Sequence, residues 1–136
     1  MDAAFVVDAS VVMSWCFTDE SNAYADLVLD KLTGAVAVVP AIWPLEVVNV
    51  LLVGERRNRL KESDSLRFLA LLSQLPIEVD SEQPEGMNEL LALGRTQNLS
   101  SYDASYLLLA MRRGCTLATL DDRLLQAAAK LGVPLL

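Results

Sequence analysis

Hydrophobic residues along this chain fall into two alternating kinds of run. Short, uninterrupted, β-branched runs read as strands: "AFVVD" (residues 4–8), "AVAVV" (35–39), "PIEVD" (76–80), "CTLAT" (115–119) and a last short "VPLL" (133–136). Between them lie longer stretches with helical spacing. "SNAYADLVLDKL" (21–32) has Ser21 or Asn22 as a cap and Gly34 just past its end. "PLEVVNVLLVGERRNRL" (44–60) opens on Pro44, carries Glu46 in its first turn and collects arginines toward its end, which suits the helix dipole. "SDSLRFLALLSQL" (63–75), "EGMNELLALGRTQN" (85–98), "SYDASYLLLAMRRG" (101–114) and "DDRLLQAAAKLG" (121–132) complete the helices, the last two stopped by Gly114 and Gly132.

Strands apolar on both faces and separated by helices call for a parallel sheet between helical layers, so the fold class is α/β. There is no internal repeat, low-complexity tract or long linker; "DSEQPEG" (80–86) is the most loop-like stretch and is too short to separate domains. The expectation is a single domain spanning residues 1–136.

Composition narrows the chemistry. Hydrophobic residues make up 53%, enough to leave apolar surface for a partner, which points to an oligomer. Cys16 and Cys115 are far apart with no CxxC, which suggests neither a disulfide framework nor zinc. The apolar stretch "AVAVVPAIWPL" is broken by Pro40 and Pro44, and "MDAAFVVDAS" has no basic leader region, so a cytoplasmic protein without a membrane span is expected. A net charge of -7 argues against holding nucleic acid by non-specific phosphate contacts alone. Histidine is absent, which removes Ser-His-Asp and Cys-His catalysis and imidazole metal sites together. Carboxylates are what remains.

Four acids stand where an apolar segment begins or ends: Asp8, Glu46, Asp103 and Asp121. Singly, each is explained as a helix cap or first-turn acid. Together they are not so easily dismissed, because in an open parallel sheet the strand C-termini share one edge, and ligands bind in the crevice there. Asp8 and Asp121 follow strands, Glu46 opens a helix that starts on that side, and Asp103 opens a helix returning to the "CTLAT" strand. Two carboxylates ~4 Å apart repel by about 4 kcal/mol at an effective dielectric near 20, so a converged group needs a cation. Lys31, Lys61 and Lys130 adjoin none of the four in sequence. One or two hard ions, Mg2+ or Mn2+, fit an all-oxygen donor set. Ser10 and Asn49 are candidate supporting residues, Asn49 because an amide interrupting an apolar run needs a partner; Thr119 and Asp122 flank Asp121, and Asp122 suits a helix first turn.

The motifs "VVDASV", "LEVVNVL", "YDASYLLLA" and "LATLDDRLL", in this order and spread over most of the chain, resemble the PIN domain, and in its short single-domain form the VapC-type toxins of bacterial toxin-antitoxin modules. The resemblance implies a three-layer α/β/α fold with a short central parallel sheet. It also implies a Mg2+- or Mn2+-dependent ribonuclease with Asp8, Glu46, Asp103 and Asp121 as its acidic site. Its partners would be an RNA substrate, a second copy and a small inhibitory antitoxin. Hydrolysis of this kind is expected to leave 5'-phosphate and 3'-hydroxyl ends. Arg56, Arg57, Arg59, Lys61, Arg112, Arg113 and Arg123 are the bases available to an RNA.

Other small acidic α/β proteins fit less well. A phosphoacceptor receiver domain needs an acidic pair after the first strand and a lysine after a late one; a haloacid-type phosphatase needs Asp-x-Asp, where Ser10 stands. The remaining alternative is a catalytically silent relative that binds a protein through Trp15, Phe17, Trp43 and Phe68.

Overall fold

The first strand forms because Phe5, Val6 and Val7 are β-branched or aromatic and all end up buried, which only a strand covered on both faces permits. The computed structural model describes residues 3–80 and 86–136. Most of the loop-like stretch at 80–86, and the first residue of the helix expected over 85–98, lie outside the described residues. Four strands, β1 (Ala3–Val7), β2 (Ala35–Val39), β3 (Ile77–Val79) and β4 (Thr116–Ala118), pair in the order β3-β2-β1-β4, every pair parallel. Parallel neighbours require crossover connections, and helices supply them. These are α1 (Ala9–Cys16) and α2 (Ala23–Lys31) after β1, α3 (Trp43–Arg56) and α4 (Glu62–Ser73) after β2, α5 (Met87–Gln97) and α6 (Ser101–Arg113) after β3, and α7 (Asp122–Leu131) after β4. The sheet with its flanking helices is the expected α/β/α arrangement. No helix among the described residues is long and apolar enough to cross a membrane.

The strand order matters for function. The chain steps from β1 to β2 to β3 in one direction, then returns to place β4 on the other side of β1. The reversal lies between β1 and β4, the switch point where open α/β sheets leave a crevice at their C-terminal edge.

Three local features depart from the sequence reading. Residues 9–16 form α1, where no helix was expected; a single turn of 3-10 helix (Thr18–Glu20) follows it. Val11, Val12 and Met13 are all buried, so the run carries no helical period and merges with the strand before it. The helix expected over 44–60 stops at Arg56. Asn58 is left-handed at φ 59, and the Arg59 and Leu60 amides both donate to the Gly54 carbonyl at 2.8 and 3.2 Å. Leu60 folds back onto Gly54 closely enough that a Cβ there would meet its Cδ1 at 3.0 Å, so glycine permits the reversal. Finally, "VPLL" contributes a single bridge, Leu135 to Leu117, and not a strand.

Candidate active site

Asp8 follows β1 and closes it: its amide donates to the Ala118 carbonyl at 3.1 Å, stitching the ends of β1 and β4 together. Its carboxylate then caps α1, accepting from the Val11 amide at 3.3 Å. The side chain is only 4% exposed, so its oxygens must find donors inside the protein. Ser10 Oγ donates to Oδ1 and Thr119 Oγ1 to Oδ2, each at 2.5 Å. Both hydroxyls are oriented from behind, Ser10 Oγ accepting from the Leu120 amide and Thr119 Oγ1 from the Asp121 amide, at 3.0 Å each. A hydroxyl has one proton; with its oxygen accepting from the turn after β4, that proton is directed at Asp8.

The other three acids arrive on helix N-termini. Asp121 caps α7, accepting from the Leu124 amide at 3.0 Å. Asp122 is an exposed first-turn acid of the same helix. Asp103 stands in the first turn of α6, its amide held by the Ser100 cap at 3.1 Å. Glu46 stands in the first turn of α3, half-buried, and accepts a 2.6 Å hydrogen bond from the Tyr106 hydroxyl.

Charge shows that these groups feel one another. Burial pushes the Asp8 carboxyl up from 3.8 to about 6, against the pull of the Ser10, Thr119 and Val11 hydrogen bonds, and the Asp103 charge adds to the rise. Burial likewise raises Glu46, opposed by Tyr106 and reinforced by Asp103. Asp103 is raised by burial and then by the charge of Asp121, while Ser100 and Arg123 oppose. Asp103 is therefore the centre of the group, in the field of each of the other three. Among the described residues none of the four carboxylates forms an ion pair.

Among the described residues, no three Asp, Glu or Cys side chains are gathered closely enough to enclose an ion as they stand. The chemistry of the donors nonetheless fits a hard divalent cation: four carboxylates, no thiol or imidazole, and a proton affinity raised in three of them by burial first and by a neighbouring carboxylate second.

Of the supporting residues, Ser10 and Thr119 lie on Asp8 itself. Asn49 is exposed, so solvent satisfies its amide; it lines a 160 Å³ cavity with Phe17, Arg57 and Arg59 and hydrogen-bonds none of the acids. The bases divide as well. Arg59 binds Asp19 and Glu20 at 3.1 and 2.7 Å, and Arg112 and Arg113 bind Asp80, so these three are already engaged. Arg123 is the base whose field reaches the acids. Tyr106 is the residue the sequence reading missed. Its one visible signal is position: it follows Asp103 by three residues, on the same face of a helix.

The family model of the PIN domain matches residues 5–130. The chain belongs to the PIN domain family. PIN domains are in general nucleases. Solved structures that share the fold include the following two. PAE2754 from Pyrobaculum aerophilum superposes with a TM-score of 0.71 at 24% identity, covering 93% of this chain and 87% of that one. A toxin-antitoxin complex from Klebsiella pneumoniae gives a TM-score of 0.60 at 15% identity, covering 86% of each chain. No curated protein matches the chain in sequence.

Proposed function

We propose that this PIN domain is a Mg2+- or Mn2+-dependent endoribonuclease and the toxin of a toxin-antitoxin pair. The observation that carries the reading is electrostatic. Asp103 lies in the field of Asp8, Glu46 and Asp121, which come from three other segments, and none of the four has an ion-pair partner among the described residues. A structural cluster would be neutralised by its own bases. This one is left for a cation from solution.

Asp8, Glu46, Asp103 and Asp121 would hold one or two ions. A bound divalent ion supplies neutralisation of the phosphodiester oxygens and activation of water. The rest belongs to the chain. Three donors fix the Asp8 carboxylate and leave about one of its four lone-pair positions for a further partner. Ser10 and Thr119 hold that orientation while keeping their own protons on Asp8. Arg123, close enough to act on Asp103, is placed to attract a phosphate, which a protein of net charge -7 must do locally.

An antitoxin partner is supported by the likeness to a chain of the Klebsiella toxin-antitoxin complex and by apolar surface left uncovered. Leu45, Val48 and Leu52 form an exposed stripe on α3, and Leu66 and Leu69 one on α4. A second copy of the chain is the other candidate for that surface. The four aromatics of the silent-binder reading are taken up in packing: Phe17, Trp43 and Phe68 are buried, and the Trp15 indole donates to the Ala25 carbonyl at 2.8 Å.

The test is RNA cleavage by purified protein with Mn2+, with EDTA as control, and end-mapping of the products. The expected ends are 5'-phosphate and 3'-hydroxyl. Cleavage that survives EDTA, or 2',3'-cyclic phosphate ends, would refute the metal-dependent reading.

A further inference from the structure

The four acids lie on separate elements, and covalent structure does nothing to set the distance between α3, which carries Glu46, and α6, which carries Asp103. One polar contact spans the two helices. Tyr106 is 1% exposed, its ring enclosed in the core, and its hydroxyl donates to Glu46 Oε1 at 2.6 Å across 60 residues of sequence. It stands one turn after Asp103 on the same face of α6, so the helix that presents Asp103 also holds Glu46. A tyrosine so enclosed has little rotamer freedom, and a half-buried glutamate without this bond would have more.

We propose that Tyr106 is a positioning residue that holds the Glu46 carboxylate in register with Asp103 for divalent-ion binding. The inference rests on the metal-dependent reading above and assigns Tyr106 a role only through Glu46. Hydrogen bonds behind metal-binding carboxylates are worth about 10–100-fold in affinity, which sets the size of the effect.

The experiment is calorimetric titration with Mn2+ of four proteins: wild type, Tyr106→Phe, Glu46→Ala and the double variant. Tyr106→Phe keeps the ring and so keeps the core. The expected result is Mn2+ affinity lowered about 10–100-fold in Tyr106→Phe, with an intact thermal transition. In the Glu46→Ala background the same change should cost nothing further, because the residue it acts through is gone. Equal affinity in wild type and Tyr106→Phe overturns the proposal, as does an undiminished loss in the Glu46→Ala background. If wild type itself takes up no Mn2+, the metal-dependent reading has failed and this one with it. As a check that does not depend on a variant's folding, the Tyr106 Cζ resonance of wild type should shift on Mg2+ addition; a resonance that stays still while Mg2+ binds counts against the role.

Discussion

Asp19 and Glu20, on the turn after α1, are crowded acids, and so are Asp8, Glu46, Asp103 and Asp121 at the sheet edge. The two groups are treated in opposite ways. The Arg59 guanidinium binds both Asp19 and Glu20 and lies over the Phe17 ring, 4.1 Å from its centroid. Asp80, nearly buried, is matched by Arg112 and Arg113. In each of these places acids and bases close on one another, and the result ties loops to helices. At the sheet edge Asp8 is buried and the other three acids are half-buried, and they receive hydroxyls, amides and each other's repulsion but, among the described residues, no ion pair. Negative charge that a fold leaves unpaired costs stability, and two of these acids, Asp8 and Asp121, stand where β1 and β4 end, at the switch point of the sheet.

Neutralising one acid in each group gives the largest contrast. Asp103→Asn removes the charge common to the other three and should lower Mn2+-dependent RNA cleavage by at least about two orders of magnitude, with the fold retained. Asp19→Asn should leave the rate within about twofold, because its partner is the exposed Arg59, which among the described residues pairs with Asp19 and Glu20 and with none of the four sheet-edge acids. Initial rates on one RNA at fixed Mn2+ and salt measure both, and comparable losses in the two variants would erase the distinction drawn here.

Stability without metal should move the other way. Burial raises the Asp8 carboxyl from 3.8 to about 6. Below about pH 4 the group is protonated folded or unfolded; above 6 it is ionised in both, and the folded state alone bears the cost of a buried charge. The stability associated with the protonated group is therefore lost as pH rises through 6, by about 3 kcal/mol at most. Glu46 and Asp103 are raised as well and act in the same direction. The metal-free thermal midpoint should fall between pH 4 and pH 7, on the order of 5–10 °C for the Asp8 contribution. Asp8→Asn should flatten that slope and raise the midpoint at neutral pH, by less than the full amount because an amide makes the Ser10 or Thr119 hydroxyl turn to accept. A midpoint for Asp8→Asn below that of wild type at neutral pH would mean that the carboxylate is there for stability.

The strands were legible because a sheet covered on both faces leaves continuous apolar runs, and the acids because each interrupts or bounds one. What could not be read is what distance decides. Residues 9–16 escaped because a helix buried along Val11, Val12 and Met13 shows no polar face, although Asp8 already stood as its cap. The arginines of residues 56–61 look like one basic patch in sequence; the left-handed turn at Asn58 separates them and delivers Arg59 to Asp19 and Glu20. The central position of Asp103 depends on where α6 lies against α3 and α7, which spacing along one helix does not encode. Tyr106 was passed over because a tyrosine in an apolar helical run reads as core, and its ring is core; only the hydroxyl reaches the site.

The smallest expected effect separates a cation that ties the fold from one that serves the site. Arg59 is exposed, and an exposed pair in high dielectric is weak and salt-screened, so Arg59→Gln should shift the thermal midpoint by less than about 3 °C, and by less still at high salt. Its contact with Phe17 is partly retained by the planar amide, which keeps the test on charge. Cleavage should not change, since Arg59 already has Asp19 and Glu20 as partners and has no reason to leave them for a phosphate. Arg123→Gln, by contrast, should leave the midpoint where it is and weaken RNA binding several-fold, with a shallower dependence of binding on salt because one fewer phosphate contact is made. Fluorescence anisotropy of a labelled RNA against salt concentration, on a cleavage-silent Asp103→Asn background, reads both arginines at once. If Arg59→Gln lowered the salt slope and Arg123→Gln did not, the RNA path would run over the α1–α3 flank and not past the acids.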